Sequence, residues 1–525
     1  MRTLNVVLAV LVSLLIGFAV LELGLRLLPG FAPPPVLNRF DAKTGWSKEP
    51  GRSIVRRVAG EQIHFEINAS GLRDDADVGP EKEPGTFRVL TLGDSFVLGY
   101  TVNRSDLFVD QLEGWWKSEE RRAEVVNAGT EGWSTDQEVA WFLENGKAYQ
   151  PDLVLLFPYE NDIYWNGQAS YVTGVAKPLF PTDGFFEERQ LPEPREKGWL
   201  ESMAARNFLK TSGAWLRSKL RGPPPMNPEF GVLLNAPPEG YAEWCKRTEN
   251  ALAHLRDACA ALPQKAKLLV CPIPSKSAVD PEEREFFGKW EFGLNGLAQE
   301  QWSPDRPVNL FLELATKLGI EAIDPRAALI AATRPDDKLY FERATEWHFN
   351  PRGNEVFATW LHDELDRREV FPAEHRARAQ GAIPAHPGHG GGVPTFVYVF
   401  AALWAALGTA FCVSYPKEPR AKSFLSVGAM LAMVFTIVLG GGALVRQIPP
   451  SWSPWILAAF VLVVLGFVAW KLGRRLATIF ELLLAFTLRG HWYLMPLVVV
   501  LLTIGSLLVV AASSPLIAPF IYTLF

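Results

Sequence analysis

Residues 85–100 read GTFRVLTLGDSFVLGY, and this stretch determines how the middle of the chain should fold. Its first half is a compact run of apolar and β-branched residues, which is typical of a buried strand. The run ends in Gly93-Asp94-Ser95, where a glycine permits a tight turn and a serine suits the start of a helix. The pattern predicts a strand at 87–92 and a turn that presents the Ser95 hydroxyl at a helix N-terminus.

Four further compact apolar runs follow, at 124–127, 153–157, 267–271 and 320–323. Helical patterns lie between or after them, at 106–119, 135–147, 241–262, 307–318 and 354–368. Strands that alternate with helices predict an α/β fold with a parallel sheet covered on both faces. In such a sheet the binding and catalytic residues lie beyond the carboxyl ends of the strands. The segments that follow the first three strands are therefore the candidates for a functional site.

Those three segments carry residues suited to acyl chemistry. Ser95 follows the first strand, Gly132 lies after the second, and Asn161 lies after the third. Free N–H groups at a helix N-terminus favour developing negative charge, a glycine lets its N–H approach a substrate, and an asparagine amide is a suitable oxyanion donor. Taken singly, each piece is more typical of an ordinary turn, since Gly-Asp-Ser also arises by chance.

Residues 345–353, near the end of the same region, read TEWHFNPRG. His348 lies in this short polar-aromatic loop directly before a helix, and Pro351 suits the first turn of that helix. A general base needs an acceptor on its second ring nitrogen, and Glu346 lies two residues earlier. The loop therefore offers His348 as base and Glu346 as its orienting carboxylate, with an ordinary surface histidine as the alternative.

Together these pieces resemble the SGNH hydrolase superfamily, also called GDSL esterases. Its first block matches Gly-Asp-Ser at 93–95, its second Gly132, its third Asn161 and its last His348. The resemblance covers about residues 40–370. It implies a three-layer α/β/α arrangement around a parallel, flavodoxin-like sheet.

Two segments before the first block look like the bacterial membrane-anchored branch of that superfamily. They are Gly45-Trp46 and the sequence NASGLR at 68–73. By the resemblance, Ser95 attacks an acyl carbonyl and His348 takes its proton. The oxyanion is held by the N–H groups of Ser95 and Gly132 and by the Asn161 side chain, and no cofactor or metal is implied.

The chain departs from the family pattern at two positions. Glu346 stands where the branch usually has aspartate, so the placement of the orienting carboxylate is altered. Glu160 precedes Asn161, where many relatives have glycine. An anionic Glu160 would oppose an oxyanion unless its side chain pointed away.

The two ends of the chain are far more apolar than its middle. Residues 6–21 are uncharged and follow Arg2 without a clear cleavage site, which predicts an uncleaved membrane anchor at 1–29, with a signal peptide as the alternative. Residues 395–525 are predicted to form a membrane domain with an interfacial helix at 476–488. Its four predicted spans are 396–415, 424–445, 455–470 and 493–512. The alternative is four buried helices of a soluble domain.

The lysines and arginines of the short loops place residues 30–393 outside the cytoplasm. The exported domain is predicted at 30–371, and a Pro- and Gly-rich linker follows at 372–394. The linker contains three histidines without acidic or cysteine partners, so we interpret it as solvated rather than metal-binding. They are His375, His386 and His389.

The stretch at 163–265 is much longer than a normal connection between strand and helix, and it is rich in aromatic residues. Aromatic faces stack well on sugar rings, but these side chains could instead pack a small core of the insert's own. Among the cysteines, Cys245 and Cys259 are too far apart on one predicted helix to bridge, whereas Cys259 and Cys271 could bridge across a helix-to-strand turn. No CxxC pair or metal-ligand spacing occurs.

The formal net charge of −5 offers no basic surface for nucleic acid. The leading hypothesis is therefore a serine esterase or acyltransferase in the bacterial inner membrane, acting outside the cytoplasm on O-acetyl groups of an envelope or exported glycan. A transferase would need an acyl donor from a partner, such as a membrane-bound O-acyltransferase or a polysaccharide export system. A non-catalytic glycan-binding or assembly subunit is the alternative. A simple lipase is less favoured, because no amphipathic apolar lid is evident.

The end of the chain carries a second, looser resemblance. Its HWYLMPLVVVLL and SSPLIAPFIYTLF segments look like small bacterial single-span proteins of unknown function. Such proteins are often associated with envelope polysaccharide or acyltransferase loci, so this likeness suggests the same cellular context.

Overall fold

The computed structural model describes residues 36–58, 61–74, 78–195, 225–341 and 347–372, with scattered residues at 22, between 198 and 210 and between 404 and 432. The chain divides into two compact units, one of residues 32–385 and one of residues 1–31 with 386–525. The predicted anchor, linker and membrane spans lie almost wholly outside the described residues. Among the described residues, no helix combines the length and the apolar character that a bilayer span requires.

The described strands, in chain order, are β1 (Asn38–Asp41), β2 (Gly45–Lys48), β3 (Ser53–Val58), β4 (Glu61–Glu66), β5 (Phe87–Gly93), β6 (Ala123–Asn127), β7 (Leu153–Phe157), β8 (Lys267–Val270) and β9 (Glu321–Ala322). The α-helices are α1 (Ser95–Leu98), α2 (Phe108–Ser118), α3 (Thr135–Glu144), α4 (Asp162–Trp165), α5 (Tyr241–Ala261), α6 (Lys276–Val279), α7 (Pro281–Phe287), α8 (Arg306–Leu318), α9 (Arg326–Ala332) and α10 (Pro351–Arg367).

Strands β5 to β9 form one parallel sheet in the order β6-β5-β7-β8-β9. Counted along the chain, the order is second, first, third, fourth and fifth, which is the flavodoxin-like arrangement. The predicted parallel sheet is confirmed. Strands β5 and β7 are buried along their whole length, and their only polar side chains are Arg88 and Thr91 of β5.

Helices cover both faces of the sheet because successive strand residues point to opposite sides. Val89 and Leu155 face a core that contains Phe108 of α2 and Phe357 of α10. Their neighbours along the strands face a second core, which α3, α5 and α8 complete. These two cores give the three-layer α/β/α architecture.

Two outcomes differ from the sequence interpretation. Phe180 and Phe186 of the insert stack at 3.9 Å and belong to the second core of the main sheet, so they do not form a separate core. The bridge between Cys259 and Cys271 is wrong, because both cysteines are free and lie in cores on opposite faces of the sheet. Two other aromatic residues of the insert, Trp199 and Trp215, lie outside the described residues.

Two antiparallel hairpins precede the sheet, and their pairing was not predicted. Strand β1 pairs with β2, and β3 pairs with β4. Apolar residues around the second hairpin pack with Leu98, at the end of helix α1, in a small third core. The hairpins therefore lie beside the start of the candidate site.

Candidate active site

Ser95 is the first residue of helix α1, directly beyond the carboxyl end of β5. Asp94 caps the helix, since its carboxylate accepts a hydrogen bond of 2.9 Å from the Phe96 N–H. A side chain at Gly93 would clash with Val97, so only glycine allows this tight strand-to-helix turn. The predicted turn around Ser95 is therefore present.

His348 meets this serine from the far end of the chain. Its Nε2 atom lies 2.6 Å from Ser95 Oγ. The imidazole packs against the rings of Phe96 and Tyr100, with centroid distances of 4.7 and 5.5 Å. The structure therefore places the predicted nucleophile and the predicted base in direct hydrogen-bond contact, which is the geometry that general-base activation requires.

The loop that carries His348 is held at both ends. Asn350 caps helix α10 by accepting a hydrogen bond of 2.8 Å from the Gly353 N–H. Its side-chain amide also donates to the Lys338 carbonyl at 2.7 Å. Glu346 lies outside the described residues, so its role as the orienting carboxylate stays a prediction.

The two other predicted oxyanion donors, Gly132 and Asn161, line the same cavity as Ser95 and His348. Gly132 has a φ of +74°, a left-handed conformation that favours glycine. Asn161 directly precedes helix α4, and its Oδ1 is buried without a hydrogen-bond partner among the described residues. The structure thus brings together Ser95, His348, Gly132 and Asn161, which the sequence had selected separately.

The cavity has a volume of about 840 Å³, which is large enough for a sugar unit with its neighbours. Trp46 and Tyr171 line it on one side, with ring centroids 5.0 Å apart. Phe230 and the half-exposed Trp347 form a second aromatic pair, at 6.1 Å. Aromatic side chains therefore supply much of the binding surface.

Lys48, which the sequence interpretation missed, supports the loop that carries Gly132. It is only 4% exposed, and its ammonium donates to the Gly129 carbonyl at 2.6 Å and to Thr130 Oγ1 at 2.9 Å. Burial lowers the pKa of this amine to about 7, so near neutral pH both its charged and its neutral form donate these hydrogen bonds. We infer that Lys48 fixes the direction of the backbone N–H groups in this loop.

Two further contacts tie the same region to the hairpins. The Trp46 indole N–H donates to the Glu131 carbonyl at 2.9 Å, while the Glu131 carboxylate forms an ion pair with Arg56. Arg73 is buried and donates to the carbonyls of Leu98 and Gly99, just beyond helix α1. Trp46 and Arg73 belong to the segments that resemble the membrane-anchored branch, and that resemblance was the available signal for them.

Glu160 lines the cavity and therefore does not point away from the site. Burial raises the pKa of its carboxyl to about 7; a hydrogen bond with Ser275 opposes this rise, and the neighbouring Glu229 adds to it. Near neutral pH a large share of the group is consequently uncharged. An uncharged carboxyl does not repel an oxyanion, so the electrostatic conflict that the sequence predicts is smaller.

The described residues hold no group of three or more His, Cys, Asp or Glu side chains that could bind a metal ion. The polar groups at the site include the Ser95 hydroxyl, the His348 imidazole and the Asn161 amide. Such a set can activate a hydroxyl, stabilise an oxyanion and transfer a proton to a leaving group.

Asn161→Ala should lower kcat for an aryl acetate by about 10²- to 10³-fold, with a smaller change in KM, because it removes one oxyanion donor. Asn161→Asp keeps the shape but replaces the N–H donor with a carboxylate, so we expect a larger loss. Steady-state kinetics of the three proteins check this order. An Asn161→Asp variant as active as the wild type would exclude the amide from the oxyanion hole.

Glu160→Gln should raise the melting temperature relative to wild type more at pH 8 than at pH 5. The folded-state pKa of Glu160 is raised, so between pH 4.5 and about 7 the folded protein keeps a proton that the unfolded chain releases. Wild-type stability consequently falls as the pH rises through this window, by up to about 3 kcal/mol. Glutamine cannot ionise and avoids this loss. Equal melting-temperature differences at the two pH values would contradict the assignment.

Comparisons with known proteins found one family match and several similar solved structures. A family model described as a family of unknown function (DUF5989) matches residues 476–525, at the predicted membrane end. No curated protein is similar enough to count as a relative. Similar solved structures include a lipase/acylhydrolase from Enterococcus faecalis, at 15% identity, with 55% of this chain and 100% of the other covered and a TM-score of 0.30.

Two other solved structures are similar over the same extent. An acetylxylan esterase from Geobacillus stearothermophilus is 14% identical, and the match covers 57% of this chain and 100% of the esterase, with a TM-score of 0.30. A GDSL-like lipase from Bacteroides thetaiotaomicron has 13% identity, 54% and 88% coverage and a TM-score of 0.26. With identities and TM-scores this low, the assignment of the site rests on its own geometry.

Proposed function

We propose that this protein is a membrane-anchored serine esterase or acyltransferase of the SGNH type. The observation that carries the proposal is the 2.6 Å contact between Ser95 Oγ and His348 Nε2, at the carboxyl edge of a parallel sheet. A histidine without a role in the site would not be expected to meet the first residue of helix α1 from the other end of the domain. The shared cavity with Gly132 and Asn161 adds the groups that an oxyanion needs.

The reaction would proceed through an acyl-enzyme. Ser95 Oγ attacks the ester carbonyl carbon while His348 Nε2 accepts the hydroxyl proton. The carbonyl oxygen becomes an oxyanion, which the N–H groups of Ser95 and Gly132 and the Asn161 amide stabilise. When the carbon–oxygen bond breaks, His348 gives its proton to the departing alcohol and the acyl group stays on Ser95.

The second half of the reaction repeats these steps with a new nucleophile. Water would yield a free acid, and a sugar hydroxyl would yield a new ester. His348 takes the proton of the incoming hydroxyl, and Ser95 recovers it when the acyl bond breaks. The same residues therefore serve hydrolysis and transfer, and the acceptor site decides between them.

The substrate we propose is an O-acetyl group on an envelope or exported glycan. The wide, aromatic-lined cavity supports a sugar, because flat aromatic faces stack on sugar rings. The apolar ends of the sequence support a location in the bacterial inner membrane, with the catalytic domain outside the cytoplasm. A transferase would receive its acyl group from a membrane-bound O-acyltransferase or an export system.

Purified full-length protein incubated with an aryl acetate, with and without an oligosaccharide acceptor, tests the proposal. An esterase releases acetate at the same rate in both cases, whereas a transferase produces acetylated oligosaccharide that mass spectrometry detects. Ser95→Ala should abolish both products. Aryl acetate turnover that does not depend on Ser95 would remove the basis of the proposed function.

A further inference from the structure

The carboxyl of Glu160 has one oxygen without a hydrogen-bond partner among the described residues. Glu160 lines the cavity next to the predicted oxyanion donor Asn161, although the residue is only 8% exposed. Its carboxyl interacts with Ser275, but its Oε2 atom is buried without a partner among the described residues. A buried polar atom without a hydrogen-bond partner is unfavourable unless a ligand or a water molecule supplies the missing hydrogen bond.

Two further carboxylates, Glu229 and Glu291, line the same cavity. Glu229 is half-buried, and desolvation raises the pKa of its carboxyl, which a hydrogen bond with Trp165 partly opposes. Glu291 is also half-buried, and its carboxylate accepts a hydrogen bond from the Asn227 N–H. We call Glu160, Glu229 and Glu291 the carboxylate wall.

Among the described residues that line the cavity, Arg39 is the only lysine or arginine. Arg39, the lining arginine, is exposed, and the carboxylate of the lining Glu131 is already paired with Arg56. The nearby Lys276 ammonium lies over the Trp347 ring and beside Glu283, at 3.5 Å. The wall therefore presents acceptors and negative charge to the cavity.

We infer that Glu160 determines substrate specificity: its Oε2 accepts a hydrogen bond from a donor, a hydroxyl or an ammonium, that the substrate carries beside its ester. This inference rests on the proposed function, because it names a feature of the substrate at that same site. A substrate with such a donor gives the buried Oε2 a hydrogen-bond partner, whereas a substrate without a donor leaves this oxygen unpaired. Negative charge on the wall disfavours a substrate with a carboxylate in this place.

Three matched acetylated methyl glycosides test the inference, with a free hydroxyl, an O-methyl group or an ammonium next to the acetyl ester. Wild-type full-length protein should prefer the hydroxyl substrate over the O-methyl one by about 10- to 100-fold in kcat/KM. Glu160→Met has a similar length but no acceptor oxygen, so the preference should shrink to about twofold or less.

Glu160→Gln provides a second variant that keeps an acceptor oxygen but loses the charge. At pH 8, where the Glu160 carboxyl with its pKa of about 7 is mostly ionised in the wild type, the variant should retain most of the preference for hydroxyl over O-methyl, while its ratio of ammonium to hydroxyl turnover should fall about tenfold. A wild-type protein that does not discriminate, or a Glu160→Met variant that keeps the preference, overturns the inference while ester turnover remains. Loss of all turnover in the wild type, with no labelling by a fluorophosphonate probe, overturns the proposed function as well.

Discussion

Ser95→Ala is expected to lower kcat for an aryl acetate by about 10³- to 10⁶-fold, because it removes the hydroxyl that becomes acylated. The substitution deletes one oxygen at a helix N-terminus and leaves the Asp94 cap in place. Folding should therefore be preserved, and the loss should appear in kcat. Steady-state kinetics, with circular dichroism as a check on folding, measure both quantities.

Ser53→Ala is a suitable control for that experiment. Ser53 is exposed at the start of β3 and does not line the cavity. The control should match the wild type in kcat and KM. A Ser95→Ala protein that retains more than about a tenth of wild-type kcat would show that another group carries the chemistry.

The second large effect is expected for His348→Ala, with a loss of about 10⁴- to 10⁶-fold in kcat. The 2.6 Å contact makes Ser95 and His348 one unit, since the serine is a weak nucleophile without its base. The double variant should therefore be at most about threefold slower than either single variant, because their effects do not add. Kinetics of the two single variants and the double variant measure this coupling.

His64→Ala is the matched control for His348→Ala. His64 lies on β4 with an exposed side chain, so its removal should leave kcat within about twofold of the wild type. A double variant whose loss equals the product of the single losses would contradict a shared role. In that case Ser95 and His348 would lie close together without acting as one catalytic unit.

The sheet and the four site positions were predictable from sequence because their signals are local. Compact apolar runs mark buried strands, and the carboxyl-edge rule then locates the chemistry without any knowledge of the tertiary structure. Ser95, Gly132 and Asn161 each follow a strand end closely. His348 is equally local, since Asn350 and Pro351 mark the start of helix α10.

The supporting contacts were not predictable because each joins residues that are far apart in sequence. Nothing near Lys48 indicates that its ammonium binds the loop at 128–130. The Cys259–Cys271 bridge failed for a related reason, since the sequence spacing is short but the sheet separates the two side chains. Phe180 and Phe186 of the insert likewise join the main core, and no local periodicity distinguishes this arrangement from a core of the insert's own.

Glu160 illustrates a partial success of sequence reasoning. A glutamate next to Asn161 predicts repulsion between its carboxylate and the oxyanion. Its burial and its contact with Ser275, however, depend on the tertiary structure. Those properties determine its protonation, and hence whether the conflict exists at a given pH.

The most direct test of the central claim is covalent labelling with a fluorophosphonate probe, followed by mass spectrometry of the tryptic peptides. Such a probe reacts with a serine only when a base activates its hydroxyl. We predict a single adduct on Ser95 that is absent from Ser95→Ala and strongly slowed in His348→Ala. A wild-type protein that stays unlabelled, or one labelled only at another serine, would contradict the claim that Ser95 and His348 form a catalytic pair.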